Sequence, residues 1–128
     1  MNCLLDTHVF LWWIMDREEL SRKARDLIAD PGNDVFLSAA SCWEMAIKAT
    51  LGRLELPMRP DRFIAGQLAV NHFSALPVTV AHACAVHDLP NHHKDPFDRM
   101  LIAQATVEKL TLITGDPVMT QYGIPLVW

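Results

Sequence analysis

The sequence predicts an α/β fold in which a central, mostly parallel sheet is layered by helices. Short apolar runs of strand length alternate with helical stretches along the chain, and this alternation is typical of parallel sheets with crossover helices. The chain has 128 residues, of which 51% are hydrophobic and 20% are charged. Because such a composition supports a buried core, we expect one domain covering residues 1–128.

Five strands are predicted, each from a compact run rich in β-branched or aliphatic residues. In chain order they are Leu4-Leu5, Val35-Phe36-Leu37, Leu76-Pro77-Val78, Thr111-Leu112-Ile113 and Pro125-Leu126-Val127-Trp128. The third run contains a proline, which sheet edges tolerate better than sheet centres. We therefore expect it to be an edge strand.

Helices are predicted from apolar positions on one face and from residues that begin or end a helix. The first helix follows Asp6, and the second is capped by Ser21 and ended by the turn at 30–32. Ser41 and Glu44 form a capping-box pattern at the start of a third helix.

The second half of the chain continues this alternation. A helix over 61–72 follows a proline-interrupted connection, and we interpret it as an insertion covering one edge of the sheet. Thr79 is expected to cap a helix that runs toward Asp88. Asp95-Pro96 begins the clearest helix, and Asp116-Pro117 begins one more helical turn.

Composition narrows the possible functions. The net charge of −4 provides no overall basic field for non-specific nucleic-acid binding. Three cysteines without a C-x-x-C pair predict neither a disulfide framework nor a thiolate zinc site, and favour the reducing cytoplasm. The longest apolar run, 9–15, is shorter than the roughly 20 residues of a membrane span, so we expect no membrane association.

Acidic residues recur where predicted strands end and helices begin. They are Asp6, Glu44, Asp95, Asp98 and Asp116. In a parallel sheet these positions share one edge, where such folds bind ligands. Acids at helix starts are also common as caps. Asp6 is different, because it interrupts an otherwise apolar segment and a buried acid requires a partner.

A hard divalent cation is the partner that best relieves repulsion among clustered carboxylates. Oxygen ligands select Mg²⁺ or Mn²⁺ over zinc, and such ions suit phosphodiester hydrolysis. Without these five acids the chain has 10 acidic and 11 basic residues. The net charge therefore does not exclude RNA as the substrate.

The sequence resembles a PIN domain in ordered motifs that span nearly the whole chain. These are Leu4-Leu5-Asp6-Thr7-His8, Ser41-x-x-Glu44, Asp95-Pro96-Phe97-Asp98-Arg99 with Leu101-Ile102-Ala103, and Thr114-x-Asp116. The segment Tyr122-Gly123-Ile124-Pro125 adds a similarity to the VapC-like toxins of bacterial toxin–antitoxin pairs. The resemblance implies a three-layer α/β/α fold and a Mg²⁺- or Mn²⁺-dependent endoribonuclease whose products carry 5′ phosphates.

The resemblance also implies roles for particular residues. The catalytic, metal-binding acids of the family match Asp6, Glu44, Asp98 and Asp116. Asp95 matches the pattern of a subgroup only and is predicted as a further metal ligand. Thr7 and Thr114 match hydroxyl positions that support the site. A VapB-like antitoxin and a second copy of the chain are the implied protein partners.

RNA-binding candidates are basic residues outside the acidic set. They are Arg17, Arg22, Lys23, Arg25, Lys48 and Arg99. Phosphate contacts of this type position a substrate without specifying its sequence. The alternative for Lys48 is an ion pair with Glu44, one helical turn earlier. For an apolar interface the candidates are Trp12, Trp13 and Phe63.

Other features of the sequence bear on three alternative interpretations of its function. His87, Asp88, His92 and His93 lie within seven residues, but their spacing matches no metal motif, and we interpret them as a solvated loop. A Mg²⁺-binding receiver domain requires adjacent acids after the first strand and a late lysine, whereas no lysine follows Lys109. A catalytically silent PIN-type module that binds RNA or protein stays open, since fold alone does not establish activity.

Overall fold

The computed structural model describes residues 1–128 and contains a five-stranded sheet in which all neighbouring strands are parallel. The strands are β1 (Asn2–Leu5), β2 (Asp34–Ser38), β3 (Ser74–Leu76), β4 (Thr111–Ile113) and β5 (Leu126–Val127). The helices are α1 (Thr7–Ile14), α2 (Arg22–Ala29), α3 (Ala39–Thr50), α4 (Pro60–Asn71), α5 (Val80–Ala85) and α6 (Pro96–Glu108), with 3₁₀ turns at Val86–Asp88 and Pro117–Tyr122. The predicted alternation of strands and helices is confirmed.

The strands lie in the order β3-β2-β1-β4-β5, with β1 at the centre. Leu4 of β1 pairs with Phe36 of β2 on one side and with Leu112 of β4 on the other. The order of connection therefore reverses between β1 and β4. Open α/β sheets bind ligands in the crevice outside the carboxyl ends of the strands at such a switch point.

Helices cover both faces of the sheet. Successive residues of a strand point to opposite faces. Leu5 packs in a core cluster with Phe10 of α1 and Ile28 of α2, whereas Leu4 packs in a second cluster with Leu101 of α6. This three-layer α/β/α arrangement confirms the predicted fold class.

Several helix ends lie where the sequence predicts them. Ser21 Oγ accepts a 3.1 Å hydrogen bond from the Ala24 N–H at the start of α2. Asp95 and Asp116 cap α6 and the second 3₁₀ turn. Gly52 follows α3 with φ of 71°, in the left-handed region that glycine adopts readily and that commonly ends a helix.

The start of α3 corrects a prediction. Ser38, the last residue of β2, is the N-cap, and its Oγ accepts a 3.0 Å hydrogen bond from the Ala40 N–H. The helix therefore begins at Ala39, before Ser41. Ser41 and Glu44 do not form a capping box and are instead buried side chains of the helix.

The segment between β2 and β3 also differs from expectation. α4 lies in the crossover between these strands, and its Phe63 and Ile64 belong to the main core, so it is not an insertion covering a sheet edge. β3 is an edge strand, as predicted, but covers Ser74–Leu76. It ends before Pro77, which has no N–H to donate to a neighbouring strand.

The most exposed tryptophan is not one of the predicted interface residues. Phe63 is only 7% exposed, and Trp12 and Trp13 are half-buried against the same core. Trp43 on α3 is instead 65% exposed. The three cysteines are free thiols, and none of the helices combines the length and apolarity that crossing a membrane requires.

Candidate functional site

The side chain of Asp6 lies in the crevice between the ends of β1 and β4 and is buried. It is the N-cap of α1, where its Oδ1 accepts a 3.2 Å hydrogen bond from the His8 N–H. Its Oδ2 accepts a 2.6 Å hydrogen bond from the hydroxyl of Thr114, the residue after β4. One carboxylate therefore joins the ends of the two central strands.

Glu44 reaches the same edge from α3 and is also buried. The Thr7 hydroxyl lies 2.9 Å from Glu44 Oε1 and 2.8 Å from Ser41 Oγ. Lys48 Nζ lies 2.7 Å from Glu44 Oε2, which is the ion pair that its helical spacing suggested. Thr7 follows Asp6 directly in the chain, so its hydroxyl ties the start of α1 to Glu44 on α3.

Asp98 and Asp116 approach from α6 and from the 3₁₀ turn after β4. Nε2 of His93 lies 3.0 Å from Oδ2 of each aspartate, and the contact with Asp116 is a hydrogen bond. Asp116 Oδ1 accepts a 3.0 Å hydrogen bond from the Val118 N–H, and the Asp116 N–H donates to Thr114 Oγ1 at 3.1 Å. Thr114 therefore contacts both Asp6 and Asp116.

Asp95, the fifth acid at this edge, is engaged by the start of α6. Its Oδ1 accepts hydrogen bonds from the N–H groups of Phe97, at 2.8 Å, and Asp98, at 3.2 Å. The contacts of Asp95 are thus those of a cap on the helix that carries Asp98.

Burial and repulsion from neighbouring carboxylates make two of the acids, Asp6 and Asp98, harder to ionise. Burial raises the pKa of Asp6, against the effect of the Thr114 hydrogen bond. Burial, followed by the negative charges of Asp6 and Asp95, raises the pKa of Asp98 to about 7. Of the four proposed catalytic acids, lysine or arginine pairs only with Glu44. The site therefore has negative charge that a cation would offset.

A cavity of about 300 Å³ opens beside these acids. It is lined by Asp6, Asp98, Asp116, His8, Val9, Trp12 and Gly115. The Trp12 ring lies 5.8 Å from the Trp128 ring, and a Cβ on residue 115 would lie 2.7 Å from Trp128 Cε2. Glycine at 115 therefore allows an aromatic pair to lie against the acidic cavity.

The carboxylate oxygens of this site suit a divalent cation. Carboxylate oxygens of Asp98 and Asp116 and a ring nitrogen of His93 all lie within 4.8 Å of one another. The buried Asp6 carboxylate borders the same cavity. Carboxylate oxygens are the ligands that Mg²⁺ and Mn²⁺ prefer. The arrangement can hold such an ion beside an open cavity.

Besides Lys48, two of the basic residues predicted to bind RNA are paired with acids within the chain. Arg25 Nη1 lies 2.6 Å from Asp16 Oδ1, and Arg17 Nη2 lies 2.9 Å from Glu19 Oε2. Arg22 and Lys23 are exposed in the first turn of α2. Of this group, these last two are the more accessible to a phosphate backbone.

The loop before α6 carries a site residue that sequence reasoning missed. His93 contacts the acids, and its side chain is 17% exposed, so it is not part of a solvated loop. Arg99, predicted to bind RNA, donates to the carbonyl oxygens of Val86 and Pro90 and ties α6 to this loop. The sequence offered one signal for this role of His93, namely its position two residues before Asp95, the N-cap of α6.

Comparisons with known proteins match nearly the whole length of the chain. A family model described as the PIN domain matches residues 3–125. Ribonuclease VapC22 of Mycobacterium tuberculosis is 32% identical over 123 residues, which cover 95% of this chain and 92% of the relative.

Solved structures share the fold at lower sequence identity. VapBC2 from Rickettsia felis, bound to a DNA fragment from its promoter, matches with a TM-score of 0.72 and 13% identity, covering 99% of this chain and 98% of the other. A toxin–antitoxin complex from Klebsiella pneumoniae matches with a TM-score of 0.62 and 22% identity, covering 98% and 96%. At these identities the likeness concerns the fold, and it agrees with the three-layer architecture.

Proposed function

The chain belongs to the PIN domain family, and on this premise we propose that it is a metal-dependent endoribonuclease, the toxin of a toxin–antitoxin pair. The observation that carries the proposal is the convergence of Asp6, Asp98 and Asp116 on one cavity at the switch point of the sheet. The relative at 32% identity is named a ribonuclease and matches almost the whole chain, which supports the same activity.

The cation of this proposal is Mg²⁺ or Mn²⁺, held by Asp6, Asp98 and Asp116 with Glu44 completing the acidic set. When bound, such an ion supplies Lewis-acid stabilisation of phosphate charge and makes a water molecule more acidic. The residues of the chain provide orientation. Thr114 fixes Asp6 and the backbone of Asp116, and Thr7 fixes Glu44. Because these bonds exist before the reaction, little reorganisation accompanies it.

The surroundings of the acids fit a nucleic-acid strand. Trp12 and Trp128 form an aromatic wall beside the cavity, and stacking of a base on such a ring is worth about 1–3 kcal/mol. Away from the cavity lining, Arg22 and Lys23 are exposed in the first turn of α2, and we assign them to phosphate contacts. RNA is therefore the substrate class we propose.

Two protein partners belong to the proposal. A VapB-like antitoxin is supported by the fold shared with a toxin–antitoxin complex, and a second copy of the chain is the expected homodimer partner. The three free thiols suit the reducing cytoplasm, where we propose that the protein acts. Co-purification with a small protein encoded beside it is the expected result for the antitoxin.

The strand order of the sheet is not that of a receiver domain. Receivers share the flavodoxin-like strand order 2-1-3-4-5, whereas the order here is 3-2-1-4-5. A catalytically silent PIN module would have the same fold, so only an activity measurement separates it from the proposed enzyme.

The decisive experiment compares Asp6→Asn with the wild type in RNA cleavage assays containing Mn²⁺, Mg²⁺ or EDTA. We expect cleavage with either ion, none in EDTA, and a loss of roughly 100-fold or more in Asp6→Asn, since even partners of metal ligands contribute 10–100-fold. Asp26→Asn, an exposed carboxylate of α2, is the matched control and should cleave normally. Equal cleavage by Asp6→Asn would reject the proposed site, and no cleavage by a folded wild type would favour the silent module.

A further inference from the structure

The imidazole of His93 lies between two acids that come from different elements. Its Nε2 is 3.0 Å from Oδ2 of Asp98 on α6 and 3.0 Å from Oδ2 of Asp116, the residue that caps the second 3₁₀ turn. The side chains of His93 and Asp98 are both only 17% exposed. A residue in this position either binds the metal ion itself or controls the carboxylates that bind it.

Spacing alone is compatible with ligation. Ligands at neighbouring corners of an octahedral ion with bonds of about 2.1 Å lie ~3.0 Å apart, and the three donor atoms lie within 4.8 Å of one another. A ligating nitrogen, however, must present a lone pair rather than a hydrogen to the ion. The hydrogen bonds of the ring therefore decide between the two roles.

Those hydrogen bonds place the proton on Nε2. The Asp95 N–H donates to His93 Nδ1 at 3.1 Å, so Nδ1 is an acceptor. A neutral imidazole has one N–H, which is then on Nε2 and donates to Asp116 Oδ2. Metal-ligating histidines show the opposite pattern, because their second ring nitrogen almost always donates to an acceptor. Here the second nitrogen faces a backbone donor.

The loop that presents the ring is fixed on both sides. The His93 N–H donates to Tyr122 Oη at 2.8 Å, and Tyr122 lies in the 3₁₀ turn that Asp116 begins. His92 packs edge-on against the Tyr122 ring, with centroids 5.1 Å apart. The His93 imidazole therefore has a defined orientation relative to both Asp116 and α6.

We propose that His93 is a positioning residue that orients the Asp116 carboxylate beside Asp98 through its Nε2–H, and that it is not a metal ligand. The proposal rests on the metal-dependent function proposed above. When both are ionised, Asp98 and Asp116 carry like charges on separate elements, and a donor in contact with both offsets their repulsion. The His93 Nε2–H therefore holds Oδ2 of Asp116 in position, while the backbone N–H of Val118 holds Oδ1.

The test measures Mn²⁺ affinity by calorimetry and the Mn²⁺ environment by electron spin echo envelope modulation. We expect His93→Ala to weaken Mn²⁺ binding about 10–100-fold. His93→Gln retains an N–H donor near the Nε2 position and should restore most of that affinity. The wild-type spectrum should show no nitrogen directly bound to Mn²⁺. Thermal unfolding in EDTA checks that both variants are folded.

The contrary outcomes are distinct from one another. A directly bound ¹⁴N in the wild type that disappears in His93→Ala would make His93 a ligand and overturn the proposal. Equal or tighter Mn²⁺ binding by a folded His93→Ala would overturn it as well. In that case the enzyme proposal would still stand if the wild type binds Mn²⁺ and Asp6→Asn does not. Absence of Mn²⁺ binding by the wild type would overturn both.

Discussion

The hydroxyl of Thr114 is the contact on which the orientation of the site depends most directly. It donates to Asp6 Oδ2 at 2.6 Å and accepts from the Asp116 N–H at 3.1 Å. Valine has a similar shape but removes both bonds and leaves Oδ2 of the buried Asp6 carboxylate without the Thr114 donor. We expect Thr114→Val to cost about 1–3 kcal/mol in the free energy of urea unfolding, and to weaken Mn²⁺ binding.

Two controls separate this effect from a general loss of hydroxyl groups. Thr114→Ser keeps the donor and should unfold close to the wild type. Thr106 lies exposed on α6 and donates only to the Ile102 carbonyl, so Thr106→Val should have a small effect. Identical unfolding of Thr114→Val and Thr114→Ser would contradict the role of the hydroxyl.

Asp98 makes the stability of the metal-free protein depend on pH. Burial and neighbouring acids raise its pKa from 3.8 to about 7. Between these values the folded protein retains a proton that the unfolded chain has released. By linkage, the contribution of Asp98 to stability falls as the pH rises from about 4 to about 7 and is constant above that range.

Asp98→Asn should remove most of this dependence. Its melting temperature in EDTA is expected to exceed that of the wild type near pH 8 and to approach it near pH 4. Thermal unfolding followed by circular dichroism across this range provides the measurement, with Asp26→Asn as an exposed control. A melting temperature of Asp98→Asn that follows the wild-type slope would show that another group is responsible.

The sequence identified Asp6 but not His93, and the difference has a physical reason. A carboxylate within an apolar segment indicates burial and an unmet need for a partner, and Asp6 is indeed 4% exposed. The position of His93 depends on the path of an irregular loop between the first 3₁₀ turn and α6. No periodic pattern describes such a path, so its contacts with Asp98 and Asp116 required coordinates.

The start of α6 shows how one acid can stabilise an element that carries another. Asp95 Oδ1 accepts from the Phe97 and Asp98 N–H groups. Loss of such a cap costs about 0.5–2 kcal/mol, whereas Asp95→Asn keeps the accepting oxygen. We expect Asp95→Ala to lower the unfolding free energy by about 1 kcal/mol, and Asp95→Asn to lower it little.

The same pair of variants tests whether Asp95 also binds the metal. If capping is its role, Mn²⁺ affinity measured by calorimetry should change little in Asp95→Asn. A large loss of affinity in Asp95→Asn, with unfolding unchanged, would instead assign Asp95 to the ion.

Helix ends were predictable where the capping residue lies outside the preceding strand. Asp95-Pro96 combines a cap with a proline at the first helical position, and α6 begins there. At α3 the cap is Ser38, which is also the last strand residue. Since Ser41 and Glu44 imitate a capping box three residues later, local patterns alone favoured the wrong start.

The order of the strands is a property of the whole chain that alternation does not specify. The sequence predicted five strands and a shared edge, but not that β1 lies between β2 and β4. That placement brings Asp6 and Thr114 together across 108 positions of sequence. Long-range pairing of this kind depends on packing of both core layers, so it emerged only from the folded structure.

An apolar surface formed by the starts of α3 and α6 is exposed on the folded molecule. Trp43 is 65% exposed and packs edge-on against Phe97, with ring centroids 5.3 Å apart. A cavity of about 440 Å³ in this surface is lined by Ala39, Ala40, Trp43, Val78, Pro96, Phe97 and Met100. Contiguous exposed apolar surface usually marks a protein contact, and the proposed homodimer is the occupant we assign to it.

Trp43→Glu tests this assignment, because a charge buried in an apolar interface without a partner costs several kcal/mol. We expect the wild type to sediment as a dimer and Trp43→Glu as a monomer with an unchanged circular dichroism spectrum. Val70→Glu is the matched control, since Val70 is 74% exposed on α4 and lies outside this surface. A dimer that persists in Trp43→Glu would place the self-association surface elsewhere. A monomeric wild type would reject the homodimer and assign the exposed Trp43 surface to another partner.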